Sequence, residues 1–368
     1  MTYDRQLPFL KKFAFVIIII ICLGHLAFVG KEILSPLLFS FLFAILLLPL
    51  TRAFENRLHF PRVMAALVSV IIFICGLLFI VYFLGIQLSA FSEDYPLLKQ
   101  QFLKALHDIQ FWIRDNFNLK LSKQVKYINE LSTGALSAST VIVGNTFMTL
   151  THFLLFMVFI FIFTFFLLYY RSLLIKFLFS IFRKEHKHLI QDIVLNIKII
   201  IKKYVVGLFI EMAVVSAMTI ITLFIVGARY PILLGLIAGI LNVVPYLGIV
   251  IALTISFIIT FATLGITKAI IVSVSIFAVH LIDSNFLMPK IVGAKVKINA
   301  FITVIGVFVG EMFWGIPGMF LSIPVIAIAK IIFDRVESLN PWGIVLGDEE
   351  QVEKGEKVAR PDEIVGPE

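Results

Sequence analysis

The sequence predicts an all-α, polytopic membrane protein with about six full transmembrane helices and two oppositely oriented re-entrant helical hairpins. Three observations lead there. The chain is 60% hydrophobic and 15% charged, with 38 phenylalanines and a mean hydropathy of +1.05; a soluble domain lies nearer 45–50% apolar and about 25% charged. The apolar residues form eight long segments, and two of these carry helix breakers near their centres. Lysine and arginine collect in alternate connections, as the positive-inside rule requires.

The elements follow in order. Lys11 and Lys12 precede an apolar run at 13–30, and a second run at 33–51 follows at once, so the first is an uncleaved span. Arg52, Arg57 and Arg62 place the next connection in the cytoplasm, and 63–88 crosses outward, completing a scaffold of three spans over 1–88. Segment 89–145 is then external; Leu98, Phe102, Leu106, Ile109 and Ile113 recur at spacings of three and four, an amphipathic helix pattern. Span 146–170 returns to the cytoplasm. Segment 171–203 carries Arg171, Lys176, Arg183, Lys184, Lys187, Lys198, Lys202 and Lys203, and reads as a basic amphipathic helix on the anionic inner leaflet. Residues 204–336 contain spans 204–227 and 268–288 with two longer runs, 231–264 and 299–335. The end, 337–368, turns acidic and is expected to be a disordered cytoplasmic tail.

The charge rule also places the long runs. Were 231–264 one tilted helix, Lys290, Lys295 and Lys297 would fall outside. A run that enters and returns puts them in the cytoplasm. The breakers Asn242, Pro245 and Gly248 support the return, because each arm is then about 21–24 Å long, short of a bilayer core of about 30 Å. Run 299–335 repeats the arrangement around Gly315 to Gly318, between cytoplasmic ends, with arms also compatible with two short full spans. Two broken segments in corresponding, inverted positions point to a transporter. Irregular backbone at membrane depth is tolerated only where protein or a water-filled cavity surrounds it. Asn242, Pro245, Tyr246, Gly248, Gly315, Pro317 and Gly318, with Asn285 at the end of a span, are therefore the expected solute pathway, suited to a small polar molecule. Intramembrane acids are costly and mark function, so Glu211, Asp283 and Glu311 are the candidates for ion coupling. His25 is read as a packing residue.

Other classes lack support. Cys22 and Cys75 stand alone inside apolar runs, without metal-binding spacing. There is no HExxH, GxSxG or GxxxxGK(S/T), and no catalytic activity or cofactor is expected. His280, Asp283 and Ser284 lie too close together on one helix to surround a substrate. The net charge of +8 is explained by cytoplasmic loops rather than by a nucleic-acid partner. A membrane scaffold without transport remains the rival class, and a channel a further one.

Three ordered stretches carry a family resemblance. They are "PILLGLIAGILNVVPYLGIVIA", "DSNFLMPKIVG" and "FWGIPGMFLSIPVIAIAK". With the overall layout, they make the chain similar to the autoinducer-2 exporter (AI-2E) family of bacterial membrane proteins. Ala300 stands where family members often have proline after the asparagine, and Glu311 where they often have glycine, which adds an ionisable group. The charge asymmetry of the loops places both termini in the cytoplasm, and the resemblance implies a multi-span transporter of the bacterial inner membrane, assembled as a homo-oligomer, with a pentamer the expected number. It implies export of a small polar solute such as autoinducer-2 or a related metabolite. The alternative is an ion-coupled sodium/proton antiporter, so H+ or Na+ joins the solute and the bilayer as expected partners.

Overall fold

The computed structural model describes residues 3–117, 151–244, 247–288, 290–291 and 298–347. Every regular element among them is helical: α1 (Tyr3–Val29), α2 (Lys31–Arg57), α3 (Arg62–Phe117), α4 (Thr151–Tyr169), α5 (Arg171–Ile181), α6 (Lys187–Val226), α7 (Pro231–Leu241), α8 (Leu247–Ile282), α9 (Ala300–Trp314), α10 (Ile316–Phe333) and α11 (Asn340–Leu346). Six apolar helical stretches among the described residues are long enough to cross a bilayer, and the protein is a multi-pass membrane protein. Three shorter apolar stretches, Ala14–Val29, Pro231–Leu241 and Ala300–Trp314, accompany them. The tail expected to be disordered from residue 337 instead begins with a 3-10 turn at Glu337–Leu339 and α11; the rest of it, beyond Gly347, and the second part of 89–145 lie outside the described residues.

Several boundaries differ from the sequence expectation. α3 does not stop at residue 88 but continues to Phe117, about 84 Å of helix. Apolar periodicity ends where charges begin, yet Glu93, Lys99 and Lys104 are sound helix formers. Segment 171–203 is not one helix. It is α5, a 3-10 turn at Lys184–His186, and the start of α6, with extended backbone at Phe182 and Arg183 dividing them. The runs expected at 231–264 and 268–288 share α8, which is interrupted at Gly265, where φ is 81°.

The chain forms two compact units. One comprises Met1–Ala66, Phe156–Lys202 and Lys297–Glu368. Within it, Phe39 stacks on Phe320 with centroids 5.0 Å apart and meets Phe156 edge-on at 5.7 Å. Ion pairs join α2 to α5 (Glu55–Arg171) and α6 to the end of α10 (Asp192–Arg335). The Asn299 side chain caps α9 by accepting from the Phe301 N–H at 2.9 Å. α9 and α10 then form a hairpin about Gly315, whose φ of 64° is reached at low cost only without a Cβ. Gly310 and Gly318 face each other across this hairpin, so close that a Cβ on Gly318 would fall 1.9 Å from the Gly310 carbonyl oxygen. At the tip, the Trp314 Nε1–H donates to the Ala27 carbonyl at 2.8 Å, fastening α1 to the hairpin.

The other unit comprises Leu67–Leu155 and Lys203–Val296. Its core contains Leu223, Ala228, Leu234, Val272 and Ile276, with Ile249, Leu253 and Ile259 packed on them. Two contacts set its course. Lys268 Nζ donates to the Val226 carbonyl at 3.0 Å, and Asn242 reaches both Glu211 and Asp283. Glu211 lies about 22 Å along α6 from Val226, and Asp283 about 22 Å from Lys268. α6 and the part of α8 after Gly265 therefore run antiparallel. α7 leaves the Val226 end and reaches the level of Glu211; the arm Leu247–Leu264 returns to the Lys268 end before the chain reverses at Gly265.

The extension of α3 is tied to the start of this fold-back. Asp94 accepts from Arg229 Nη2 at 2.8 Å and from the Tyr230 hydroxyl, and Phe91 meets the Tyr230 ring edge-on at 5.5 Å. The Asp94 carboxyl is held below the ordinary carboxylate range chiefly by the Tyr230 hydrogen bond, which, with the lesser help of Arg229, outweighs the opposing effect of desolvation. A depressed native value means that this contribution is present above the unfolded value of about 4 and is lost as pH falls through the native one. The hydrogen-exchange protection factors around Phe91–Asp94 and Arg229–Tyr230, corrected for the pH dependence of intrinsic exchange, should fall on acidification below roughly pH 4. In Asp94→Asn they should be lower at neutral pH and show no such further fall.

The glycine contact in α9–α10 yields a second expectation. Gly318→Ala should lower thermal stability in detergent by about 1–3 kcal/mol, because backbone must move. Gly76→Ala, a helical position with nothing within 4 Å of an added Cβ, should leave stability unchanged or slightly raised.

Candidate functional site

Among the described residues, buried acids occur together at one place. Glu211 is 6% exposed and Asp283 2% exposed, and both lie in apolar helical stretches. α6 supplies Glu211. Asp283 opens a π-helical turn, Asp283–Leu287, that follows α8. The wider turn changes the register of the side chains there, as such insertions do at functional sites. Asn242 follows the last residue of α7, where the helix tightens: the Val243 and Val244 N–H groups bond to Ile240 and Leu241. Its Nδ2 donates to Asp283 Oδ2 at 2.9 Å and to Glu211 Oε1 at 3.3 Å. One amide thus joins three elements.

Small residues allow this approach. A Cβ on Gly239 would lie 2.0 Å from Ser216 Oγ and 2.6 Å from the Met212 carbonyl, so α7 packs backbone to backbone on α6 one turn from Glu211. Gly248 does the same for the fold-back, since its Cβ would lie 2.0 Å from the Leu241 carbonyl. Replacing either would push Asn242 away from the acids.

The electrostatics are one-sided. Neither Glu211 nor Asp283 forms an ion pair with lysine or arginine among the described residues. Asp283 Oδ1 is buried without a hydrogen-bond partner. Two carboxylates removed from water repel each other, and each needs compensation that a neutral amide supplies only in part.

The remaining expected residues are distributed differently. Pro245 and Tyr246 lie outside the described residues. Asn285 is exposed and donates to the Leu281 carbonyl of its own helix at 2.8 Å, so it does not join Asn242. Gly315, Pro317, Gly318 and Glu311 belong to the other unit, where Glu311 is exposed and Gly318 is buried against Gly310. In that unit α1, α2, α9 and α10 enclose an apolar groove of about 370 Å³, lined by Leu23, Leu38, Phe313 and Val325 among others. Sequence reasoning treated Asn242 as a solute group and the acids as separate coupling groups; their union was missed. It also passed over four buried hydroxyls of the same unit, Ser216 and Thr219 on α6 and Ser256 and Thr260 on α8. Their spacings of three and four along a helix were the available signal.

A multi-pass helical chain whose apolar fold-back ends at a buried polar cluster has the architecture of a membrane transporter. Residues 14–338 match the AI-2E family transporter family, and the chain belongs to that family. It is similar to YrrI of Bacillus subtilis strain 168, named as a candidate transport protein, with 24% identity over 308 residues, covering 82% of this chain and 86% of that one. It is also similar to the AI-2 transport protein TqsA of Escherichia coli strain K12, with 23% identity over 347 residues, or 90% of this chain and 95% of that one. YdbI of the same Bacillus strain, also named as a candidate transport protein, is 34% identical over a shorter stretch of 128 residues, covering 34% of this chain and 36% of that one.

The bridging amide gives a thermodynamic expectation. Asn242→Ala should destabilise the protein by about 1–3 kcal/mol, since two buried acceptors lose their donor. Adding Asp283→Asn should recover part of that loss, because it removes one charge and restores a donor. Thermal unfolding of the two single variants and the double variant measures the coupling.

Proposed function

We propose that this chain exports a small polar solute across the bacterial inner membrane, with both termini in the cytoplasm and 89–145 outside. The observation that carries this reading is the Glu211–Asn242–Asp283 cluster at the turn of the α7–α8 fold-back. A buried polar group at the break of an apolar hairpin is unfavourable unless something polar uses it. In the bilayer, α7 and the first arm of α8 form a re-entrant hairpin entered from outside, and α9 and α10 form one entered from the cytoplasm. A hairpin-bearing part of the chain is the moving element, and the chain works as a homo-oligomer. The likeness to TqsA favours a solute of the autoinducer-2 kind. A scaffold without transport has no use for such a cluster.

Flux into inverted vesicles, with autoinducer-2 and related small metabolites as test solutes, examines the proposal. Wild-type protein should accumulate at least one solute in a saturable manner. Asn242→Ala should reduce the rate about tenfold while leaving oligomer size unchanged, the equivalent of one lost hydrogen bond at the solute site. Gly315→Val should reduce it further, because a branched side chain does not fit a positive φ. Absence of saturable flux for every solute, or full activity in both variants, would refute the assignment.

A further inference from the structure

We infer that the groove between α1, α2, α9 and α10 is a binding site for one acyl chain of a zwitterionic phospholipid, with the headgroup at its Lys31 end. The first observation is the chemistry of the walls. Leu23 and Leu38 line the groove from α1 and α2, and Phe313 and Val325 from α9 and α10. Two side chains with a donor border it, and both donors are spent. The Trp314 Nε1–H donates to the Ala27 carbonyl at 2.8 Å, and the Ser322 hydroxyl to the Met319 carbonyl at 2.6 Å. A polar solute or an ordered water would be stranded there, whereas hydrocarbon loses nothing.

The second observation is the position. Gly306 and Trp314 both line the groove, so it follows α9 for about 12 Å. At the Trp314 end the bonded Ala27 is one turn before Lys31, the first residue of α2. Lys31 is exposed, with its Nζ 5.9 Å from the centre of the Phe28 ring. Charges hold the link between α1 and α2 at a face of the bilayer, and tryptophan and lysine are residue types that gather at headgroup depth. The groove thus begins where headgroups lie and runs along the helices into hydrocarbon, as an acyl chain does. Lys31 offers a phosphate its cation. Two exposed acids at the same end, Glu32 beside it and Glu311 one turn before Trp314, favour a headgroup that also carries an ammonium.

A chain in the groove differs from one in bulk lipid because four helices enclose it. About 370 Å³ holds roughly a dozen methylene groups, each near the ~30 Å³ that a water molecule takes in the liquid. Left empty, that space would cost its lining the dispersion contacts that a chain supplies. The bound chain also packs α1 against the α9–α10 hairpin, which the Trp314–Ala27 bond fastens at the tip. The site rests on the groove and its ends and not on the transport reading.

The experiment uses the full chain with Trp112→Phe and Trp342→Phe, which leaves Trp314 as its one tryptophan. The protein in detergent micelles is titrated with phosphatidylethanolamine brominated on its acyl chains, and quenching of Trp314 fluorescence is read. Quenching that saturates, is reversed by the unbrominated lipid, and is about tenfold weaker in affinity for brominated phosphatidylglycerol supports the site. Gly24→Leu should abolish the saturable part. A Cβ on Gly24 meets only the Phe313 ring, at 3.5 and 3.7 Å, so the longer side chain enters the groove without moving backbone. Gly24→Ala, too short to fill the groove, should keep the saturable quenching. Val309→Phe fills the groove from α9 and gives the same test should Gly24→Leu not fold. Lipid should also raise the unfolding temperature of the wild type and not that of the filled variants. Quenching that rises without saturation, or that persists in the filled variants, overturns the site. Equal or tighter binding of phosphatidylglycerol overturns the zwitterionic assignment. Quenching that appears only after dissociation into single copies overturns the lipid reading in favour of a second copy that covers the groove.

Discussion

Two carboxylates held out of water by apolar helices, with one amide between them, set the terms for the unit that contains them. Neither acid forms an ion pair with lysine or arginine among the described residues, and the Asn242 contacts at 2.9 and 3.3 Å supply hydrogen bonds to both. To place that amide, α7 must end at Leu241, lie against α6 without an intervening side chain at Gly239, and give way to α8 at once through Gly248. To place Asp283 opposite, the second part of α8 must return alongside α6, which it does after Gly265, and then widen into a π-helical turn. The irregularities of this unit thus occur where the acids need them.

The second hairpin uses a similar turn for a different end. Gly315 reverses the chain through a positive φ, and Gly310 and Gly318 bring α9 and α10 into backbone contact. Its tip polar group is the Trp314 N–H, which is spent on a carbonyl of α1. Around it lies an apolar groove rather than a charged cluster. Glu311, where a glycine was expected, is exposed on α9 and takes no part in the α9–α10 glycine contact.

Much of the architecture was legible in the chain. Runs of apolar residues located the spans, because hydropathy reports what lipid accepts. Asn242, Gly248 and Gly315 stood out because breakers inside long apolar runs conflict with a continuous helix. Other features were not readable. The continuation of α3 to Phe117 was hidden because polarity ends a membrane span but does not end a helix. The packing of Gly239 on Ser216 was indistinguishable from ordinary small-residue packing. The meeting of Glu211, Asn242 and Asp283 joins positions far apart in the chain, and a single sequence holds no distances. Each was identifiable as a costly polar residue, but which ones share a site depends on the reversal at Gly265.

That reversal has a mechanical consequence. Because the backbone at Gly265 leaves the helical region for one residue only, the two arms of α8 are joined by a single pair of soft torsions rather than by a hydrogen-bonded ladder. The side-chain bond from Lys268 to the Val226 carbonyl anchors the far side of that joint to α6. The spacing at the opposite end, where the amide meets the acids, is therefore set by side-chain packing between the two limbs, Ile249, Leu253 and Ile259 against the core of Val272 and Ile276, and not by a continuous helical ladder.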